Sequence, residues 1–186
     1  MKIEIRPLAL PGPLLIRTPR MTDSRGYFLE TYTRRDFAAV GISNAFIQDN
    51  QSGSTAAGTV RGLHFQAPPA AQAKLVRVLK GRILDVVVDL RRRSASYGRH
   101  LAIELGGDNG EQLFVPVGFA HGFCSLAPDT DVFYKVDADY SPEHERGIHW
   151  ADPALGIQWP VQETAAIVSE KDKTLPVLKE LAPYFE

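Results

Sequence analysis

The sequence predicts an all-β fold, a sandwich or barrel, and three observations carry that expectation. Between residues 14 and 136, short runs rich in β-branched and aromatic residues succeed one another, separated by Gly, Pro, Asn or Asp. Helix signals are confined to two stretches that look peripheral. No internal repeat, low-complexity tract or linker interrupts the chain, so residues 1–186 are expected to form one domain.

The first run is LLIRTP from Leu14, followed by YFLETY from Tyr27. RRDFAAVG, at 34–41, is predicted as a short helix with Gly41 as its stop. FIQDNQ from Phe46 and VRGLHFQ from Val60 return to extended patterns. From Lys74 to Lys80 the residues alternate, with Leu75, Arg77 and Leu79 on one face and Val76 and Val78 on the other. Lys80-Gly81-Arg82 then makes a turn, and the more continuously apolar Ile83 to Leu90 reads as a deeper strand. HLAIEL, QLFVP and VFYKV supply further strands, DPALGIQWP at 152–160 an ordered loop, and Ser169 to Leu181 a helical C-terminal tail.

Composition excludes several classes. With 44% hydrophobic residues and a formal net charge of -1, the chain has no global attraction for nucleic acid or membrane, so an anionic ligand must meet a local cluster. Cys124 is the sole cysteine, which rules out an intrachain disulfide and makes the cytoplasm the expected compartment. Pro11, Pro13 and several charges interrupt the N-terminal apolar residues, so neither a signal-peptide core nor a membrane span is expected there.

Two spacings point to chemistry. GEQLFVPVGFAH, from Gly110 to His121, has the frame Gly, five residues, Pro, one residue, Gly, two residues, His, and resembles the second motif of the cupins. His64-Phe65-Gln66, then Lys74, then Gly81 after six residues, matches the frame of their first motif with two ligands changed. The resemblance implies a cupin-type jelly-roll barrel with short peripheral helices. A metal cupin surrounds its ion with three imidazoles and a carboxylate. Here Gln66 and Lys74 occupy two of those positions. An ammonium repels a cation, so no metal and no cofactor are expected, and Lys74 becomes a positive charge suited to a developing anion.

Each residue also has an ordinary structural reading. Taken singly, His64 is a core or surface histidine and Lys74 a solvated strand residue more often than either is catalytic. Their joint spacing raises the functional reading. His100 and His144 read as surface residues, His149 as structural, Arg91-Arg92-Arg93 as a solvated turn, and Cys124 as a packed side chain rather than a nucleophile.

RGYFLE, FIQDN, VRGLHFQ, KLVRVLKG, DVVVDLR, VPVGFAHGF, YK at 134–135 and DPALGIQWP together resemble the dTDP-4-dehydrorhamnose 3,5-epimerase family over roughly residues 4–173. The resemblance implies a cofactor-independent isomerase, a jelly-roll homodimer that inverts carbons 3 and 5 of dTDP-4-dehydro-6-deoxy-D-glucose. It assigns His64 as base, Asp172 as the carboxylate orienting it, Tyr134 as proton donor, and Lys74 to the neighbourhood of the ketone. It places Arg25, Glu30, Gln48, Asn50, Arg61, His121, Glu145 and Lys171 among substrate contacts, with Arg61 and Lys171 suited to a diphosphate. On chemical grounds alone Asp49, Asp85 and Asp89 could orient His64 equally well. Ala70, Ala73 and Gln51 depart from frequent family residues and remove substrate-side groups, which leaves open whether one carbon or both are inverted.

Enolisation beside a ketone needs a base, an acid on the opposite face and a donor or cation at the oxygen, and His64, Tyr134 and Lys74 fill those roles. The alternatives are an epimerase that inverts carbon 3 or carbon 5 only, a silent nucleotide-sugar-binding cupin, and a metal-dependent oxygenase. The presence of base, acid and cation argues against the silent protein, and Gln66 with Lys74 against the oxygenase.

Overall fold

The structure, a computed structural model, describes residues 3–186. In chain order the elements are β1 (Glu4–Pro7), β2 (Leu14–Arg17), β3 (Arg20–Asp23), β4 (Gly26–Leu29), α1 (Arg34–Ala39), β5 (Gln48–Ser54), β6 (Val60–Gln66), β7 (Lys74–Lys80), β8 (Arg82–Asp89), β9 (His100–Gly106), β10 (Glu111–Val115), β11 (Phe119–Ser125), β12 (Thr130–Val136), β13 (Glu145–Gly147) and α2 (Glu170–Lys173). One sheet has the order β1-β2-β10-β7-β12-β5, and the other β13-β6-β11-β8-β9. All their named strand pairs are antiparallel. β3 and β4 form a separate hairpin.

Period-two alternation explains why the sheets enclose a common interior. Val76 and Val78 of β7, Leu113 of β10 and Val132 of β12 meet Ile83 and Val87 of β8 and Phe119 and Phe123 of β11 in one buried cluster. The outward residues of the second sheet, including Leu63, Phe65, Val86 and Val88, are covered instead by the C-terminal chain, where Tyr184 and Phe185 pack against Phe65. α1 begins at the Thr33 cap and buries Phe37 under the first sheet, as its sequence predicts.

Several expectations need correction. The tail is helical only over α2 and a 3-10 turn at Leu178–Glu180, because Pro176 between them lacks an N–H and forces its predecessor from the helical region. The loop at 152–160 is ordered by Asp152, which accepts from Ala154 N–H at 2.9 Å and Leu178 N–H at 2.7 Å. Arg91 is not part of a solvated turn: its guanidinium is half-buried on Asp89. His144 is half-buried, its Nδ1 2.7 Å from the Ser141 hydroxyl.

Candidate active site

The inward positions of five strands bring His64, Lys74, Asp85, His121 and Tyr134 to one end of the barrel, where the apolar interior gives way to a cavity of about 480 Å³. Gly62 makes the meeting of β6 and β11 possible. It has φ +116°, and a Cβ there would lie 2.7 Å from the Gly122 Cα, so only glycine fits this crossing. His64 and His121 are consequently direct cross-strand partners.

His64 is backed by Asp172, 108 residues away, with Nε2 to Oδ1 at 2.7 Å. Asp172 is held by its own short helix: Ser169 Oγ caps α2 by accepting from Asp172 N–H at 3.1 Å, and Gly62 N–H donates to Asp172 Oδ2 at 3.1 Å. Burial pushes the Asp172 carboxyl up, but the His64 hydrogen bond and charge, with the Gly62 and Ser169 contacts, more than offset this and hold it below its ordinary value.

Lys74 lines the cavity and donates to the His64 carbonyl at 3.4 Å. Burial lowers its pKa from 10.5 to about 8, against the opposing charges of Asp85 and Glu145. Tyr134 stands on β12, the strand next to β7. Burial and the Glu145 charge raise the Tyr134 phenol, with Arg61 opposing, so the hydroxyl keeps its proton.

Arg61 reaches back to β5, donating to the Gly53 carbonyl at 2.8 Å. Lys171 pairs with Glu145 at 2.5 Å, and the Tyr140 hydroxyl donates to the same carboxylate oxygen at 2.6 Å. Burial raises the Glu145 carboxyl, but Lys171 and Tyr140 bring it below its ordinary value. A smaller chamber of about 230 Å³ shares His64, Lys74 and Tyr134 with the first and is completed by Gln48, Asn50 and Glu145 among others. Gln48 Nε2 donates to Asn50 Oδ1 at 2.8 Å, fixing the two amides on one strand face.

The structure therefore gathers ten of the twelve site residues expected from sequence around one connected space: His64, Lys74, Tyr134, Asp172, Gln48, Asn50, Arg61, His121, Glu145 and Lys171. Arg25 and Glu30 are elsewhere. Arg25 pairs with Asp23 at the tip of the β3–β4 hairpin, whose Met21, Tyr27 and Phe28 are exposed, and Glu30 follows that hairpin. Sequence reading missed Ser52, Thr59, Gln72, Tyr140 and the segment 167–169. Ser52 carried a signal, since it continues the Gln48–Asn50 spacing by two. Tyr140 carried none.

The competing carboxylates have separate partners: Asp49 meets Lys135, Asp85 meets His121, and Asp89 meets Arg91. Gln66, at the would-be ligand position, is bound to backbone throughout. Its amide nitrogen donates to the carbonyls of Ala70 (2.7 Å) and Asp139 (3.1 Å), and its oxygen accepts from Ser141 N–H at 2.8 Å. Among the described residues, no three His, Cys, Asp or Glu side chains are grouped to hold a metal, and no helix is long and apolar enough to cross a membrane.

The sequence profile of the dTDP-4-dehydrorhamnose 3,5-epimerase family matches residues 7–180. The chain is 49% identical over 179 residues to the dTDP-4-dehydrorhamnose 3,5-epimerase of Sinorhizobium fredii, covering 96% of this chain and 91% of the relative. It resembles the crystal structure of the Bacillus anthracis enzyme with TDP and pyrophosphate bound, with a TM-score of 0.92, 44% identity, and coverage of 95% of this chain and 99% of the other. The Legionella pneumophila epimerase, in complex with dTDP-4-keto-L-rhamnose, superposes with a TM-score of 0.91 at 38% identity, covering 97% of this chain and 95% of that one.

Proposed function

We propose a mechanism from one premise: the chain belongs to the dTDP-4-dehydrorhamnose 3,5-epimerase family. Its reaction is the conversion of dTDP-4-dehydro-6-deoxy-D-glucose to dTDP-4-dehydro-L-rhamnose, an isomerisation that needs only proton transfers beside the carbon 4 ketone. In our assignment His64 is the base. With Nε2–H donated to Asp172, the Nδ1 lone pair is left to take the carbon-bound proton, and the Asp172 carboxylate stabilises the imidazolium that results. The electron pair moves onto the ketone oxygen, where the Lys74 ammonium opposes the developing charge.

Tyr134 returns a proton to the opposite face, and solvent exchange through the open cavity restores His64 and Tyr134 for the next inversion. The observation that carries this reading is the convergence of His64, Lys74 and Tyr134, from three strands, on one cavity with Asp172 behind the imidazole. Gln66 supports a metal-free site, because its amide is spent on backbone. We assign Arg61 and Lys171, cations beside the same cavity in a chain of net charge -1, to the substrate diphosphate.

We read residues 1–186 as one epimerase domain and the working form as a homodimer. The exposed β3–β4 hairpin, with apolar Met21, Tyr27 and Phe28 and with Arg25 remote from its own cavity, suits contact with a second copy. The cytoplasm is the compartment we assign, in keeping with a lone buried thiol, Cys124, that burial pushes up to about 11. Incubation with dTDP-4-dehydro-6-deoxyglucose, NADPH and a 4-reductase specific for the L-sugar tests the function. Formation of dTDP-L-rhamnose is expected. Return of a sugar inverted at one carbon, or of unchanged substrate, would contradict it.

A further inference from the structure

His121, which lines the cavity, belongs to a second histidine and carboxylate pair that the reaction above does not use. His121 Nε2 lies 2.7 Å from Asp85 Oδ1, and the side chains are only 7% and 0% exposed. Asp85 stands on β8 between Ile83 and Val87, inward residues of the apolar cluster, so its carboxylate is fully buried in the interior. The other oxygen, Oδ2, is buried with no hydrogen-bond partner. Leaving such an atom unpaired costs free energy unless a nearby charge compensates, which makes a retained orphan a sign of function.

The charge is across the barrel. β7 and β8 belong to different sheets, and Lys74 faces the interior from the first as Asp85 does from the second. Of the groups around Lys74, His64, His121 and Tyr134 share its cavity and bring no fixed negative charge, and Asp172 is committed to His64 and Gly62. Glu145 is already neutralised by Lys171 and hydrogen-bonded by Tyr140. Asp85 is the largest of the opposing charges that favour the Lys74 ammonium.

We propose that Asp85 is a positioning residue for the epimerisation: fixed by His121 through one oxygen, it uses its unpaired oxygen and its charge to keep Lys74 an ammonium aimed at the ketone oxygen. This rests on the reading of Lys74 as the cation that stabilises the enolate. Burial disfavours the Lys74 ammonium, and the charges of Asp85 and then Glu145 oppose it, leaving the pKa at about 8. Without Asp85, the ammonium would give way to the neutral amine at a lower pH, and the enolate would lose its counterion on the alkaline side of neutrality.

The test is Asp85→Asn, which preserves shape and removes charge. The pH profile of carbon-bound deuterium exchange should lose its alkaline limb earlier, by about one pH unit, with roughly tenfold slower turnover above neutrality. Lys74 acetylation, read by mass spectrometry against pH, should move by the same amount, a readout that a merely structural aspartate would leave in place. If Lys74→Ala stays fully active, the reading beneath the proposal fails and the proposal with it. If Lys74→Ala is inactive while the Asp85→Asn profile and Lys74 titration are unmoved, the proposal alone is overturned. Should Asp85→Asn not fold, carboxyl-carbon NMR of the ¹³C-aspartate-labelled native protein decides: a charged Asp85 at neutral pH supports the proposal, and a protonated one overturns it.

Discussion

Asp89 and Asp172 are both buried aspartates with a cationic or potentially cationic partner, yet they sit in opposite settings. Asp89 is closed on every side: Arg91 N–H and Nε–H each donate at 2.9 Å, Arg91 Nη2 at 2.7 Å, and the Ser94 and Ser96 hydroxyls at 2.7 Å. Burial would raise its carboxyl, but these donors outweigh it and bring the pKa to about 2. Asp172 ends instead on His64, whose side chain is 28% exposed toward the cavity. A polar network that closes on itself holds the fold, whereas one that terminates at an open ring can act on something else.

The sharpest way to break that contrast is to remove a charge from the open network. Lys74→Met should lower turnover by roughly a thousandfold, the order expected for losing one oxyanion donor. The same variant should be more stable than the native chain at neutral pH by about 1 to 3 kcal/mol, because a cation no longer pays for burial. The sign follows from the depressed pKa. Below about 8 the native lysine is protonated whether folded or unfolded and bears the full cost; between about 8 and 10.5 the folded protein sheds its proton first, so native stability rises and the gap narrows. Thermal melts across that range, with exchange assays beside them, would show both halves; a destabilised Lys74→Met protein would contradict the account.

Asp89→Asn should do the reverse, with a smaller total effect. Breaking this closed network should cost about 3 kcal/mol in stability, while turnover of folded protein stays within about twofold. Its native contribution is complete above the unfolded value of 3.8 and is lost as pH falls from there to about 2, because the folded state binds the proton less readily. Urea titrations at neutral and acid pH would measure it. A variant as stable as the native chain but inactive would erase the distinction between the two regions.

What was legible in the sequence follows the same division. Alternation exposed β7 and the continuous apolar run exposed β8, because burial writes period-two patterns directly. β13 and β3 escaped notice since each is too short or too solvated to carry one. The two cupin-like spacings located His64, Lys74 and His121 because each spans only two strands consecutive in the chain, β6–β7 and β10–β11. Asp172 was different: its partner lies 108 residues away, and Asp85 and Asp89 were equal candidates on chemistry until the fold separated them. Arg91 looked solvated because the donor cage around Asp89 is a loop geometry, not a periodicity. The C-terminal helix ends at Lys173, short of the predicted Leu181, because Pro176 interrupts a stretch whose other residues favour a helix.

The central claim is that proton removal and proton return are divided between His64 and Tyr134 on opposite faces of one sugar. It is tested most directly by running the reaction in deuterium oxide and reading deuterium content by mass spectrometry and configuration by NMR. His64→Ala should abolish exchange at both carbons. Tyr134→Phe should retain exchange while inversion at carbon 5 fails, since His64 and Lys74 still form the enolate and return a deuteron to the face it left. Full inversion at carbon 5 in folded Tyr134→Phe, or undiminished exchange in His64→Ala, would contradict it.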